Sequence, residues 1–381
     1  MDFDLTWLLW GLPLAFTLGW GASRLDLRQW RIESRQAPKA YFRGLNHLLN
    51  EQQDQAIDAF IEAVQGDPDT AELHFALGNL FRRRGDYDRA VRVHEHLLAR
   101  ADLSRKDRDR AQHALALDFL KAGLLDRAET ALHKLERSAF EGEALLALLA
   151  IYERSRDWPQ AKRVAQRLET AGQGSFTTRL AHYLCEEAEQ AQRSGNTALA
   201  AQLLGDAVKK APQLARGWMA LSGLKLRTGE PTAAFDALVQ LSQQAPQGMP
   251  LAARALADLG QQTDRKTQAL TLLQACNDRA PSLDVTEALA SLSTDPQTAR
   301  SRYLSHLERE PSLVIATQWL SEETLSSPEA KVRVQAALEL ATAPLKRYRC
   351  AACGFEARQH FWQCPGCQAW DSYPARRVEE L

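Results

Sequence analysis

Small and apolar residues recur with a period of about 34 residues over most of this chain, and polar residues fill the positions between them. A tetratricopeptide repeat is a helix pair of about this length that carries a small residue in its second helix. The pattern therefore predicts a stack of helix pairs that bury one continuous apolar core. Seven alanines mark the recurring position: Ala56, Ala90, Ala128, Ala161, Ala200, Ala234 and Ala269.

The second repeat matches this pattern most fully. Leu77, Gly78 and Phe81 occupy the expected positions of its first helix, Gly85 stands at the turn, and Ala90 lies in its second helix. Residues 37–344 are predicted to hold about eight to nine such repeats, the last of them degenerate. The large aromatic residues at other repeat positions are interpreted as packing residues, among them Phe60, Tyr87 and Trp218.

The N-terminus shows a different pattern, an uninterrupted apolar segment. The segment from Leu5 to Ser23 contains no charged side chain. As a helix with a rise of about 1.5 Å per residue it matches a bilayer core of about 30 Å. A cleaved signal peptide would need a basic start, whereas this segment follows Asp2 and Asp4. Because basic residues begin at Arg24, the positive-inside rule predicts an uncleaved single-pass anchor with the rest of the chain in the cytoplasm.

Composition narrows the class of protein. The chain has 381 residues, 45% of them hydrophobic, and a net charge of −1, whereas a dedicated nucleic-acid-binding protein usually carries a basic excess. No nucleic-acid partner is therefore predicted. Six cysteines are too few and too unevenly placed for a disulfide scaffold. Cys185 and Cys276 stand alone in helical segments and are interpreted as free thiols, which agrees with a reducing compartment.

Four cysteines near the C-terminus form the clearest chemical motif, Cys350-Ala-Ala-Cys353 followed by Cys364-Pro-Gly-Cys367. Each C-x-x-C turn aims two sulfurs at one point, and a short hairpin can bring the two pairs together. The spacing predicts a closed four-cysteine site for one iron or zinc ion, since tetrahedral sulfur ligation suits both metals. The aromatic residues predicted to pack around the sulfurs are Phe355, Phe361, Trp362 and Trp370.

No catalytic residues are predicted. The sequence lacks the phosphate-binding, dinucleotide-binding, zinc-protease and serine-hydrolase motifs, so we expect a protein that is not an enzyme. His360 lies between the two cysteine pairs, but four thiolates already complete the metal shell. The ion could hold the terminal module together or carry electrons, and a closed shell at the end of a long scaffold favours the structural role.

One polar cluster in the second repeat is a candidate partner-binding surface. Asn79, Arg82 and Arg83 lie on its first helix, off the packing positions. Solenoids bind peptides and protein surfaces on the concave face that their first helices form. A solvated face is the alternative interpretation, and contact of Arg82-Arg83-Arg84 with anionic lipid is another.

The whole chain resembles the lipopolysaccharide assembly protein B family of Gram-negative bacteria. Leu77 to Gly85 (LGNLFRRRG) looks like the second repeat of that family, Gly44-Leu45-Asn46 like its first repeat, and Arg347 to Cys350 (RYRC) like the entry to its rubredoxin-type domain. The expected fold is all-α, a tetratricopeptide-repeat superhelix with an N-terminal transmembrane helix and a small C-terminal rubredoxin-like zinc-ribbon module. The expected domains are the anchor (1–23), a basic linker (24–36), the repeats (37–344) and the metal module (345–381).

The resemblance also implies a function. Family members lie in the bacterial inner membrane, with the N-terminus in the periplasm and the bulk of the chain in the cytoplasm. They restrain lipopolysaccharide synthesis by promoting degradation of the deacetylase that commits lipid A precursors, through a membrane AAA-type protease. A lipopolysaccharide-sensing inner-membrane protein relieves this action. The terminal module packs against the repeats and binds iron or zinc through the four cysteines, here Cys350, Cys353, Cys364 and Cys367.

Three hypotheses for function follow. In the first, the chain is a non-enzymatic membrane adaptor that holds a client near the protease, where tethering raises the effective concentration of both. In the second, it is a scaffold for several enzymes of lipopolysaccharide assembly. In the third, the metal centre is a rubredoxin-type electron carrier or redox sensor.

Overall fold

The computed structural model describes residues 13–20, 39–40, 42–47, 49–50, 52–66, 71–324 and 327–381. Within these ranges no helix is both long enough and apolar enough to cross a membrane. Residues 13–20 of the predicted anchor are helical and exposed. The rest of the segment from Leu5 to Ser23, and the predicted linker at 24–36, lie outside the described residues.

The described chain is mostly helical and ends in a small module with two short strands, which confirms the helical repeats and the terminal ribbon. Within each of the two compact units, most consecutive helices are joined by short turns and pack side by side. Residues 39–40 and 42–47 are helical and precede the labelled helices. These are α1 (Gln53–Gly66), α2 (Ala71–Arg84), α3 (Tyr87–Ala99), α4 (Arg105–Ala122), α5 (Leu125–His133), α6 (Glu141–Ser155), α7 (Trp158–Thr170), α8 (Thr177–Arg193), α9 (Thr197–Lys210), α10 (Ala215–Arg227), α11 (Pro231–Gln244), α12 (Met249–Gln262), α13 (Lys266–Arg279), α14 (Leu283–Ser291), α15 (Pro296–Arg309), α16 (Leu313–Glu322) and α17 (Pro328–Thr342).

The recurring alanines are the centre of this packing. All seven, from Ala56 to Ala269, have no exposed surface at all. A methyl group at this position lets paired helices approach closely, so larger apolar residues from the neighbouring helices close around it. Phe60 is buried as predicted, whereas Tyr87 is only half-buried. Trp218 is also half-buried but packs against the core of the second unit, as predicted. Trp218 uses its indole N–H to donate a hydrogen bond of 2.8 Å to the Pro212 carbonyl.

The turn inside a helix pair needs one residue in the left-handed conformation. Gly85 between α2 and α3 has φ +87°, and Gly123 between α4 and α5 has φ +77°. Glycine adopts this conformation without a steric cost, and here it ends the first helix so that the second can turn back. Arg156, between α6 and α7, and Asp264, between α12 and α13, take the same conformation. The same turn therefore forms in repeats that have no glycine at this position.

Contacts divide the chain into two compact units, residues 1–151 and 152–381. In the first unit, apolar side chains from α1, α2 and α3 form a common core, with Phe60, Leu77 and Phe81 among its buried members. In the second unit, a large core joins α10 to α14, and Phe235, Met249 and Leu256 lie fully buried within it.

Close contact between paired helices makes Gly78 sensitive to substitution. A Cβ atom at this position would lie 2.5 Å from Nε2 of the buried His94 on α3. The His94 ring has little freedom to move, because its Nδ1 lies 2.5 Å from a carboxylate oxygen of the buried Asp118. We expect Gly78→Ala to destabilise the first unit by about 1–3 kcal/mol through overpacking, measured by urea unfolding.

Gly205 provides the matched control for this prediction. It lies within α9, and a Cβ atom there would meet nothing within 4 Å. Gly205→Ala should therefore leave stability unchanged or raise it by up to about 1 kcal/mol, because alanine favours the helix. Equal effects of the two substitutions would show that the Gly78–His94 contact is not tight.

Candidate metal centre

Two backbone turns of the same design hold the four cysteines. Strands β1 (Tyr348–Arg349) and β2 (Glu356–Ala357) pair antiparallel, and the first cysteine pair lies in the loop between them. The Cys350 N–H donates to the Phe355 carbonyl at 2.9 Å, and the Gly354 N–H returns to the Cys350 carbonyl at 2.9 Å. In the second turn, the Cys364 N–H donates to the Ala369 carbonyl and the Gln368 N–H to the Cys364 carbonyl, both at 2.9 Å.

The left-handed residue after each turn is Gly354 in the first and Gln368 in the second, with φ +77° and +61°. Glycine adopts this conformation without a steric cost, so the sequence Cys353-Gly354 favours the first turn. The sequence did not indicate the second, because glutamine carries no signal for this conformation and the glycine of the second turn stands at position 366.

The sulfur atoms of Cys350, Cys353, Cys364 and Cys367 lie within 4.8 Å of one another. Cys350 Sγ is 3.8 Å from Cys367 Sγ, and Cys353 Sγ is 3.7 Å from Cys364 Sγ. A tetrahedral ion with metal–sulfur bonds of about 2.3 Å requires sulfur–sulfur distances of about 3.8 Å. The geometry therefore fits one metal ion of the zinc or iron type, bound by four thiolates.

Local hydrogen bonds favour ionised sulfur at the two buried positions. Burial opposes ionisation of Cys350, but the Ser372 hydroxyl and the backbone N–H groups of Cys353 and Ala352 outweigh it and lower the pKa of Cys350 to about 6. The pKa of Cys364 is also lowered, since backbone N–H groups of the second turn overcome the effect of burial. Thiolates are the form that binds metal, so the environment of these two sulfurs suits a cation at the centre of the cluster.

The side chains around the sulfurs differ in part from those predicted. Tyr348 and Tyr373 form a small core with Cys350 and Cys364, and Phe361 packs against it as expected. Phe355 is 45% exposed. Trp362 and Trp370, predicted to surround the sulfurs, contact the repeat helices instead. The Nε2–H of His360 donates a 3.0 Å hydrogen bond to the Tyr373 carbonyl, and the ring stacks edge-on against Trp362, so His360 supports the module from outside the sulfur cluster.

A buried polar network docks the module on α8 and α10. His182 on α8 is fully buried, and its Nε2 lies 2.9 Å from both carboxylate oxygens of Asp371 in the module. Its Nδ1 lies 3.4 Å from Nη1 of Arg216 on α10, which donates a 2.6 Å hydrogen bond to Glu186. Both ring nitrogens of His182 thus have partners, with Nε2–H donating to Asp371 and Nδ1 accepting from Arg216.

Trp370 makes a second contact with the repeats. Its indole N–H donates a 3.0 Å hydrogen bond to Glu153 on α6, which also accepts from the hydroxyl of Tyr183. The Trp370 ring lies 4.6 Å from His182 and 6.2 Å from Trp158, between ring centres. One aromatic side chain of the module therefore contacts helices α6, α7 and α8.

The C-terminal tail is fixed by charge. Arg377 forms two hydrogen bonds of 2.9 and 2.6 Å with Asp284 on α14. Glu379 accepts from Ser312 and from the Leu313 N–H, both at 2.6 Å, at the start of α16. Glu380 accepts from the Leu283 N–H at 2.9 Å at the start of α14. Carboxylates stabilise helix N-termini, where backbone N–H groups lack partners, so two consecutive glutamates cap two helices.

The buried histidines make stability of the second unit depend on pH. Burial lowers the pKa of His182, of His306 and of His360 below the ordinary value of 6.5. Below about pH 6.5 the unfolded chain therefore binds more protons than the folded chain. The contribution of these histidines to folding stability is fully present above that pH and is lost as the pH falls further. We expect the urea concentration at the midpoint of unfolding of the zinc-loaded protein to decrease as the pH is lowered from about 7.5 to about 5.5.

A substitution of His306 on α15, outside the metal module, tests whether buried histidines cause this pH dependence. Its Nδ1 lies 2.9 Å from the Thr286 hydroxyl on α14. His306→Gln retains a side chain that can bond this hydroxyl but cannot titrate, so the midpoint should depend less on pH. An unchanged slope would assign the pH dependence to other groups.

The three candidate partner-binding residues lie on α2 in the first unit. Arg82 donates hydrogen bonds of 3.0 Å to Asp118 and to the Ala114 carbonyl on α4, and of 2.6 Å to Asn79. Asn79 and Arg82 are therefore half-buried and link neighbouring repeats, and Arg83 is exposed. A role of these residues in partner binding stays a prediction. No sequence signal pointed to Asp118, which lies 36 residues after Arg82.

Comparisons with known proteins agree with the geometry. A model described as rubredoxin metal binding domain matches residues 348–373, and tetratricopeptide repeat models match residues 73–110 and 185–250. The chain is 31% identical to lipopolysaccharide assembly protein B of Escherichia coli (strain K12), over 97% of this chain and 98% of the relative. It is 26% identical to the protein of the same name in Haemophilus influenzae, over 95% and 96% of the two chains.

A solved tetratricopeptide repeat protein from Parabacteroides merdae is 13% identical, covering 68% of this chain and 100% of its own, with a TM-score of 0.35. The sequence relatives match along nearly their full length, and the match includes the metal module. This chain belongs to the lipopolysaccharide assembly protein B family.

Proposed function

We propose that this chain is a non-enzymatic inner-membrane adaptor in lipopolysaccharide assembly. In this role it restrains synthesis by presenting the lipid A-committing deacetylase to a membrane AAA-type protease, and a lipopolysaccharide-sensing membrane protein relieves the restraint. The observation that carries the proposal is the docked metal module. His182, Glu153 and Asp284, on three different helices, hold the module against the repeats. The metal ion would therefore support a surface that the module and the repeats form together.

The metal ion has a structural role in this proposal. Cys350, Cys353, Cys364 and Cys367 would hold one zinc or iron ion, which ties the two turns together. A shell of four protein ligands leaves no position open for a substrate. The chain's own residues then supply recognition, and the N-terminal segment from Leu5 to Ser23 supplies the membrane tether.

Two neighbouring cavities in the second unit support a recognition role. One of about 480 Å³ lies between α8 and α10, and one of about 250 Å³ lies between α10 and α12. Met219 and Gly223 line both, so the cavities adjoin along the first helices of consecutive repeats. Repeat proteins use such surfaces to bind extended segments of their clients.

Depletion of the chain in its own bacterium tests the adaptor role. The half-life of the deacetylase should lengthen several-fold, and re-expression of the full chain should restore it. A version without residues 1–23 is the matched control for tethering and should restore it poorly. An unchanged half-life after depletion would refute the adaptor.

Two alternatives remain distinguishable by experiment. A scaffold for several assembly enzymes would retain those enzymes, and not a protease, after crosslinking in intact membranes. Electron transfer is favoured by one observation, the exposure of Cys353 and Cys367, which brings one edge of the sulfur cluster to the surface. Zinc does not change its redox state, so zinc-loaded protein that still regulates the deacetylase would exclude electron transfer.

A further inference from the structure

A cavity of about 430 Å³ lies at the junction between the metal module and the repeats. Trp362, Tyr373 and Arg376 of the module form one wall, and Leu214 and Leu251 of the repeats form the other. Its lining is mostly apolar, and its volume falls within the range of about 300–1,000 Å³ that is usual for ligand pockets. We call it the junction cavity. It exists only while the module is docked.

The junction cavity offers one positive charge to an occupant. Among the described residues that line it, Arg376 is the one permanent cation and Asp371 the one carboxylate. Asp371 is bound to His182 through both oxygens. Arg376 makes no hydrogen bond or ion pair with any described residue, and the nearby Glu380 uses its oxygens on backbone N–H groups instead. The guanidinium of Arg376 is thus available to an acidic occupant.

The backbone around the cavity is also compatible with a negatively charged occupant. Leu214 and Ala215 at the start of α10, and Gln247 and Gly248 before α12, line the cavity, and neither helix has a side-chain cap. Backbone N–H groups at the starts of α14 and α16, two and three repeats further along from α10 respectively, each donate a hydrogen bond to a carboxylate of the tail. The chain itself therefore fills comparable positions with acidic side chains.

We propose that the junction cavity binds an acidic peptide segment of a protein client, with one large apolar side chain inserted between Trp362 and Leu251 and a neighbouring carboxylate bound to Arg376. This inference rests on the proposed adaptor role, since it assigns the chemistry of a client. The composite wall gives the metal ion a part in recognition. Without the ion the module loses its shape, and the cavity loses the wall that carries Trp362 and Arg376.

Selection from a random octapeptide display library on the detergent-solubilised full chain tests the proposal. Wild-type protein should enrich peptides with an aromatic or leucine residue beside Asp or Glu. Arg376→Glu should lose this enrichment and weaken the best peptide about tenfold. Arg358→Glu, at an exposed position of the same module outside the cavity lining, is the matched control and should bind that peptide as wild type does.

A second pair of variants tests the apolar part of the site. Gln247 is exposed and lines the cavity, whereas Gln244 is exposed and lies outside the cavity lining. Gln247→Trp should fill the cavity and abolish peptide binding, and Gln244→Trp should not.

The proposal is overturned if no peptide is enriched, if the enriched peptides lack acidic residues, or if both charge reversals have equal effects. These outcomes do not depend on deacetylase stability in cells, so failure of the cavity proposal and failure of the adaptor role can be told apart.

Discussion

Replacing Cys350 or Cys364 by serine should remove the metal ion and unfold the terminal module. Both side chains are buried, and each supplies one of four sulfurs that lie within 4.8 Å of one another. Structural zinc contributes about 10–16 kcal/mol of apparent binding free energy in small zinc-dependent folds. The module has only two strands of two residues each, so it contains little other regular structure to hold it.

Unfolding should be confined to the module. Arg377, Glu379 and Glu380 bind the repeats without help from the metal, so the tail keeps part of its anchorage. Hydrogen exchange should therefore rise sharply across residues 350–373 and only slightly in α14 and α16. Metal analysis of the purified protein should fall from one equivalent of zinc or iron to nearly none.

Cys276→Ser is the matched control, because Cys276 is a half-buried free thiol on α13. It should retain full metal content and normal exchange in the module. If Cys350→Ser or Cys364→Ser kept one equivalent of metal and a protected module, the four-sulfur site would be wrong.

Features that depend on short spacings could be predicted from the sequence. The seven alanines recur at close to the repeat length of about 34 residues, and each occupies the same fully buried place in its helix pair. The four cysteines all lie in the short segment from Cys350 to Cys367, so local turns suffice to bring their sulfurs together. In both cases the local geometry depends on residues that are close together along the chain, so the spacing of the residues is enough to predict it.

Contacts between distant segments could not be predicted in this way. His182 and Asp371 are 189 residues apart, and Trp370 and Glu153 are 217 apart. Periodicity shows which face of α8 is buried but not which distant segment covers it. Trp362 and Trp370 were assigned to the sulfur cluster because they lie near the cysteines in sequence, whereas the structure uses them for docking on the repeats.

Replacing His182 by alanine should undock the module without removing its metal. His182 is fully buried and connects Asp371 of the module to Arg216 of α10. Its loss leaves the buried Arg216 with one partner fewer and opens a space beneath the Trp370 ring, which lies 4.6 Å from the imidazole. Leaving a buried hydrogen-bonding group without its partner costs about 1–3 kcal/mol, and the cavity left by the imidazole adds to this cost.

Two measurements on His182→Ala separate docking from folding of the module. Metal content should stay at one equivalent, because none of the sulfurs contacts His182 in the described structure. Hydrogen exchange should rise in α8 and around Trp370, where the module and repeats cover each other. His133→Ala, at an exposed position on α5, should change stability by no more than about 0.5 kcal/mol.

The half-life of the deacetylase in cells that express His182→Ala then shows which role the metal ion has. If His182→Ala keeps its ion but no longer shortens the deacetylase half-life, the active element is the docked surface, with the ion acting only to shape the module. If the variant keeps its ion and full activity although exchange shows an undocked module, docking is not required, and the client must bind elsewhere on the repeats. Unchanged exchange at α8 and Trp370 would instead show that the remaining contacts, chiefly those of Glu153 and Asp284, hold the module without His182.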